Sequence, residues 1–339
     1  MPVRLKDIAR DLNLSKMTIS KVLRGQTDVS ADTKARVLQR AKELNYRPNS
    51  TARTLRTGQT FMIGMVVPAI GDTYLAEIAE GIDQVIQPAG YGLMVCPSQQ
   101  DPKNEQRVVE LMLSRQVDAI LVAPMEENAP FFERLGKNQT VPLILLNRRL
   151  SGTGENFVGI NEQEVGRVAC EHLLATGCKR IGYLRGPRTP VGDNRYLGYR
   201  EALTNAGHTF HAELVIDAMG TDCPDYRRGF EGMLKFLTVR GRPDGVMAYS
   251  DIMAVGAIDA ALSRNIKIPE SMAFVGCGND RTVCEMRVPL SSVDMPGEEV
   301  GQRAARMALR LIANPGKTEN RKILISPKLV ERKSSMRCR

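Results

Sequence analysis

Lys16, Met17, Thr18, Ser20, Lys21 and Arg24 crowd one short stretch after Ser15, spaced by the apolar Ile19, Val22 and Leu23. Lysine and hydroxyl side chains hydrogen-bond to base edges, and methionine can contact a thymine methyl. The same cations neutralise phosphates. The first sixty residues carry 13 Lys and Arg against 5 Asp and Glu, and the remainder 34 against 33, of 47 and 38 in the whole chain. Charge confined to one motif-bearing end suits a phosphate-binding head on a neutral body. A solvated basic tail gives the same count, but helical patterning argues against it.

A second set of polar and aromatic residues follows short apolar runs. Tyr74 and Leu75 come after residues 61–67, Asn147 and Arg148 after 143–146, and Ser250 and Asp251 after 245–249. Gly278, Asn279 and Asp280 follow 272–276, and Arg195 precedes Leu197-Gly198-Tyr199. Strand ends of parallel sheets are where small ligands bind. Each residue also has a local reading. Asp251 fits a helix cap as well as a ligand contact, and Arg148 fits a salt bridge between lobes.

Catalytic patterns are missing. There is no Gly-x-Ser-x-Gly elbow and no complete Gly-x-Gly-x-x-Gly. Gly316-Lys317-Thr318 resembles the end of a phosphate loop, but Leu311 stands where its first glycine must be. The three His, His208 and His211 among them, have no carboxylate or cysteine constellation, and the seven Cys form no Cys-x-x-Cys. No catalytic residue, metal or cofactor is expected. No apolar run is long enough to cross a membrane, and the N-terminus lacks a signal pattern, so a cytoplasmic protein is expected.

The head must position its polar face with helices. Leu5, Ile8, Ala9 and Leu12 predict an amphipathic helix over 5–12. Ser15 caps a second over about 16–23, and Gly25 ends it. Ser30 caps a third, with Val37, Ala41 and Leu44 buried and Pro48 as its stop. This is a helix-turn-helix order, although an ordinary three-helix bundle has the same periodicity. Residues 49–60 are polar with Leu55 as the one large apolar residue, and read as a linker. From Phe61 onward, strand and helix patterns alternate, resume after Asn161, and imply parallel sheets in two lobes.

The runs Leu5-Lys6-Asp7-Ile8-Ala9, residues 14–23, Val29-Ser30 and residues 44–49 (Leu-Asn-Tyr-Arg-Pro-Asn) resemble the head of the LacI/GalR family of bacterial transcription regulators. The resemblance continues at lower density through the body. It implies an α/β protein with a helix-turn-helix DNA-binding head at 1–48 and a hinge at 49–60. The effector-binding and dimerisation body would be 61–339, built like periplasmic sugar-binding proteins. Lobe 1 would hold about 61–160 and 291–320, and lobe 2 about 161–290 and 321–339.

The resemblance also implies roles. Lys16, Met17 and Lys21 would read bases, and Ser15, Thr18, Ser20 and Arg24 would contact the backbone or flanks. Leu5, Ser30, Thr33, Tyr46, Asn49, Ala52 and Arg53 would also face DNA. Leu55 would wedge into the minor groove of a near-palindromic operator bound by a homodimer. A sugar, sugar acid or sugar phosphate would bind between the lobes, with Arg195 as its leading contact. Tyr74, Leu75, Asn147, Arg148, Ser250, Asp251, Gly278 and Asn279 would add others. The expected function is repression controlled by that effector. The polar 331–339 lacks leucine heptads, so no tetramerising coiled coil is expected.

Two departures stand out. Gly278, in Gly276-Cys277-Gly278-Asn279-Asp280, replaces a ligand-binding Asp of the family, and Asn161-Glu162 stands where Asp-Asn is usual. Loss of a carboxylate near Arg195 suits a negatively charged ligand. The competing readings are a transport protein that binds sugars, disfavoured by the head and the lack of a signal, and an α/β enzyme acting on a sugar-like ligand.

Overall fold

A computed structural model describes residues 3–23, 28–46, 54–55, 57–138, 141–150, 156–217, 225–315 and 321–337. Residues 1–60 and 61–339 form separate compact units.

The head has three helices: α1 (Leu5–Leu12), α2 (Lys16–Leu23) and α3 (Ala31–Glu43). Asp7 accepts a bond from the Arg4 amide at 2.9 Å at the start of α1. Ser15 and Ser30 accept from the Thr18 and Thr33 amides at 3.0 and 3.3 Å, starting α2 and α3. Ile8, Ile19 and Val37, one from each helix, are fully buried together. Arg40 on α3 clasps Asp11 on α1 at 2.6 Å. The stop of α3 differs from expectation. It ends at Glu43, and Asn45 turns the chain with φ 48°, a left-handed conformation that asparagine tolerates. Pro48 and Gly25 lie outside the described residues.

The body holds two six-stranded sheets. The first comprises β1 (Met62–Val67), β2 (Gly92–Pro97), β3 (Ala119–Val122), β4 (Leu143–Leu146), β5 (Asn156–Ile160) and β11 (Lys322–Ile325), in the order β11-β5-β4-β3-β1-β2. The second comprises β6 (Ile181–Arg185), β7 (Val215–Asp217), β8 (Gly245–Ala248), β9 (Ala273–Gly278), β10 (Ser291–Asp294) and β12 (Lys328–Val330), in the order β12-β10-β9-β8-β6-β7. All neighbours are parallel except β12 on β10. Residues 63–67 and 143–146 are buried almost throughout, as a sheet covered on both faces requires.

The lobe boundaries need correction. Ser291–Asp294 pairs with β9 and so belongs to the second lobe, and the chain returns to the first only at Met295 and Pro296. Lys322–Ile325 pairs with β5 and edges the first lobe, so the last crossing falls at Ser326 and Pro327. Short strands such as Ser-Ser-Val-Asp carry no mark of the sheet they will join.

Helices begin earlier than their apolar pattern does, because polar caps start them. Asn161 caps α7 (Glu162–Ala175), and Thr189 with Pro190 starts α8 (Pro190–Asn205). In chain order α4 is Thr73–Ile86, α5 Pro102–Ser114, α6 Ala129–Asn138, α9 Asp225–Thr238, α10 Asp251–Ser263 and α11 Gly297–Ala313. The pair α7 and α8 packs backbone to backbone. A Cβ on Gly166 would lie 1.9 Å from the Arg195 carbonyl oxygen, and one on Gly198 would lie 1.8 Å from that of Gln163. This approach sets Glu162 beside Arg195.

Candidate functional site

In the head, α2 turns Ile19 and Val22 into the core and leaves the opposite face outward. Lys16 is exposed, and Met17 is 69% exposed. Thr18, Ser20 and Lys21 are half-buried beside them. Ser15 and Thr18 share a hydroxyl bond of 2.9 Å, and Lys21 bonds to Asp28. That bond, ahead of any other cause, holds the Asp28 carboxyl below its usual range. Ser30 and Thr33 share another 2.9 Å hydroxyl bond at the start of α3. Leu5 and Tyr46 are half-buried and pack against the head's core, so each has a structural role in the head. Leu55, in a helical stretch with Thr54, is 85% exposed. Arg24, Asn49, Ala52 and Arg53 lie outside the described residues.

In the body, a cavity of about 160 Å³ opens between the ends of β4 and β5 and the first turns of α7 and α8. Its polar lining includes Asn147, Arg148, Arg149, Asn161, Glu162 and Asn194. Phe157, Val191 and Leu324 supply apolar walls.

Arg195 lies directly behind this lining, and its guanidinium is already engaged. Nε donates to Glu162 Oε2 at 2.7 Å, Nη1 to the Tyr249 carbonyl at 2.6 Å, and Nη2 to Met295 Sδ at 3.0 Å. Its charge sits 4.6 Å from the Tyr249 ring centre. Both side chains of the Arg195–Glu162 pair are 5% exposed. Burial opposes the charged guanidinium, yet the Glu162 carboxylate outweighs it and holds Arg195 protonated above the ordinary arginine range. The expected loss of a carboxylate near Arg195 is thus overturned, because Glu162 supplies one.

Among the described residues, Asn147 Oδ1, Glu162 Oε1 and the Tyr74 hydroxyl are buried near this pair without a hydrogen-bond partner, as is the Tyr183 hydroxyl. Burial first, and then the Glu162 charge, push the Tyr74 phenol up. A buried polar atom without a partner costs about 1–3 kcal/mol, so these atoms invite a ligand.

Other expected contacts serve the scaffold. Leu75 is buried in the core, and its amide bonds to Asp72. Ser250, not Asp251, caps α10, accepting from the Met253 amide at 3.3 Å and donating to Asp225 at 3.2 Å. Asp251 accepts from Ser292 Oγ at 2.6 Å and from the Asp280 amide at 2.8 Å. Gly278 has φ 136°, and a Cβ there would lie 3.3 Å from Asp251 Oδ2. Asn279 donates to Asp294 at 3.1 Å and accepts from Arg332 at 2.7 Å. Asp251, Gly278 and Asn279 tie the start of α10, β9, β10 and the C-terminal segment together, Ser250 starts α10, and none of the four lines the cavity. Glu162, Gln163, Asn194 and Arg149, which do line it, were not expected contacts. Their signal was adjacency to Asn161, Arg195 and Arg148.

Burial pushes the Asp251 carboxyl up to about 6. Its ordinary value is lower, so the native state holds an extra proton between about pH 4 and pH 6. Stability of the body from this group therefore falls as pH rises through that window and is level above it. His172 contributes the opposite slope, because burial lowers its pKa and acidification charges it. Urea unfolding of wild type and Asp251→Asn across this range isolates the first effect. The variant is less stable, since an amide faces the Asp280 N–H poorly, but its curve should lack the Asp251 slope. Parallel wild-type and variant curves would contradict the assignment.

Among the described residues no helix is long and apolar enough to cross a membrane, and no three His, Cys, Asp or Glu side chains are grouped to hold a metal ion.

Comparison with known proteins supplies a context for this geometry. Residues 4–49 match the family model of bacterial regulatory proteins, lacI family, and residues 170–335 that of a periplasmic binding protein-like domain. The HTH-type transcriptional repressor PurR of Mannheimia succiniciproducens is 31% identical over 331 residues, covering 97% of this chain and 98% of the relative. The ribose operon repressor of Escherichia coli is 28% identical, covering 98% and 99%. A crystal structure of the Lac repressor bound to ONPG in the repressed state superposes with a TM-score of 0.83 at 25% identity, covering 98% and 100%.

Proposed function

We propose, because this chain belongs to the LacI family of bacterial regulatory proteins, that its cleft cavity receives the effector and its α2 face reads the operator. The protein is a DNA-binding transcriptional repressor controlled by a small-molecule effector, and not an enzyme. Lys16, Met17 and Lys21 contact bases, with Ser15, Thr18 and Ser20 on the backbone. Two subunits pair, so that two α2 helices meet the halves of a near-palindromic site. Leu55 from each subunit enters the minor groove between them. The protein acts in the cytoplasm, where its operator is.

The observation that carries the effector reading is that Asn147 Oδ1, Glu162 Oε1 and the Tyr74 hydroxyl, beside a buried Arg195, are buried without a hydrogen-bond partner among the described residues. Two of the three are acceptors only, and sugar hydroxyls are donors that fit them. An effector that engages this cavity better in one arrangement of the lobes shifts operator affinity by its difference in affinity for the two arrangements.

Full-length protein on a genomic operator fragment, titrated with sugars and sugar derivatives, tests this reading. At least one should change operator affinity by about 5- to 150-fold, the usual range of coupling. Intact operator binding with no response to any sugar-type compound would overturn the effector assignment.

A further inference from the structure

The head's acidic side chains are Asp7, Asp11, Asp28, Asp32 and Glu43, and all of them lie among its described residues. All but one serve the scaffold. Asp7 accepts from the Arg4 amide at the start of α1, and Asp11 and Glu43 both hold Arg40. The Asp32 carboxylate lies 3.9 Å from the Arg36 guanidinium on the same helix. Asp28 alone turns to the outward face of α2, where it bonds to Lys21. It lies between α2 and α3 and starts neither, because Ser30 caps α3. Lys16, the other lysine of that face, makes no ion pair among the described residues, and the head's undescribed residues contain no Asp or Glu.

Neither stability nor affinity accounts for this carboxylate. Asp28 is exposed, and exposed ion pairs add little to stability. On a surface that meets phosphates it repels them, and it cancels a cation that would otherwise release a counterion. Selectivity does account for it. A lysine ammonium is a point charge on a flexible stem, and it can neutralise any phosphate within reach. Paired with Asp28, Lys21 has no net charge to offer a phosphate. Its remaining N–H donors still suit the adjacent O6 and N7 acceptors of guanine.

We propose that Asp28 is a positioning residue for DNA reading: it directs the Lys21 ammonium to the major-groove edge of a guanine and withholds it from the phosphates. The head thereby gives up general affinity for selectivity. The proposal rests on the reading of α2 as the operator face given above, and names a residue outside that helix which sharpens it.

Full-length wild type, Asp28→Asn, Lys21→Gln and the double variant are compared in two assays. One is selection from a random duplex pool. The other is titration, at several salt concentrations, on a duplex that lacks the selected sequence. Wild type should prefer guanine at one position that Lys21→Gln relaxes. Asp28→Asn should relax the same position about fivefold or more and keep the rest of the site, which shows its head folded. It should also bind the unselected duplex more tightly, with a salt slope steeper by about 1. In the Lys21→Gln background, Asp28→Asn should move neither the base preference nor the slope. An equal steepening in that background means that the carboxylate acts on phosphates by itself, and overturns the proposal. So does a guanine preference that survives Asp28→Asn, a Lys21→Gln variant that relaxes no position, or an Asp28→Asn variant that loses the whole site or binds the unselected duplex more weakly. Each of these leaves sequence reading by wild type standing. Wild type that enriches no sequence removes the reading of DNA by α2, and the proposal with it.

Discussion

Truncating Glu162 to alanine is expected to lower the stability of the body by about 3–5 kcal/mol, the usual result of stranding one partner of a buried ion pair. Arg195 would keep its charge behind the cavity with only the Tyr249 carbonyl and Met295 Sδ as hydrogen-bond acceptors. The close packing of Gly166 against the Arg195 backbone leaves no room for the guanidinium to escape with its helix. Glu162→Gln should cost less, since its amide oxygen still accepts from Nε. Urea unfolding followed by tyrosine absorbance reads this directly, because all tyrosines but Tyr46 lie in the body. Glu162→Ala and Glu162→Gln losing the same small amount, under about 1 kcal/mol, would mean that the pair does not form.

Replacing Leu55 with alanine is expected to weaken operator binding by about ten- to a hundredfold, while non-specific binding changes little. Leu55 is 85% exposed and stands apart from the head's core, Ile8, Ile19 and Val37. An apolar side chain presented to water gains most by entering an opened base step, and the kink it makes is available only at an easily unstacked sequence. Non-specific binding rests on phosphate contacts and does not use the wedge. Titrations of the variant on operator and scrambled duplex at one salt concentration compare the two. An equal fall on both would remove the wedge.

Much of the head was legible in the sequence. Its periodicity fixed which faces of α1, α2 and α3 are buried, and Ser15 and Ser30 announced two helix starts. The end of α3 was less legible, because the helix stops before Asn45, an ordinary polar residue by type that takes a left-handed turn, and not at Pro48. In the body, long buried strands announced parallel sheets, but the return crossings did not show. Ser291–Asp294 and Lys322–Ile325 are short, and only pairing with β9 and β5 assigns them to a lobe.

The cleft was legible where a polar residue follows a buried run. Asn147 and Arg148 come after Leu143–Leu146 and do line the cavity. The same rule picks out Ser250, Asp251, Gly278 and Asn279, which do not line this cavity. The partners of Asp251 and Asn279, namely Ser292, Asp294 and Arg332, come from distant stretches of chain that no local pattern reveals. Glu162 was missed for the opposite reason. At the first position of α7 it looks like an ordinary acidic helix start, and only the approach of α7 to α8 gives it to Arg195.

As a LacI-family repressor, this chain reads a DNA sequence and is not merely attracted to DNA. Selection of bound duplexes from a random pool by the full-length protein tests it most directly. Enrichment of two inverted half-sites around an easily kinked central step is the predicted result. Bulk binding that fades with salt, with no sequence enriched, would contradict it.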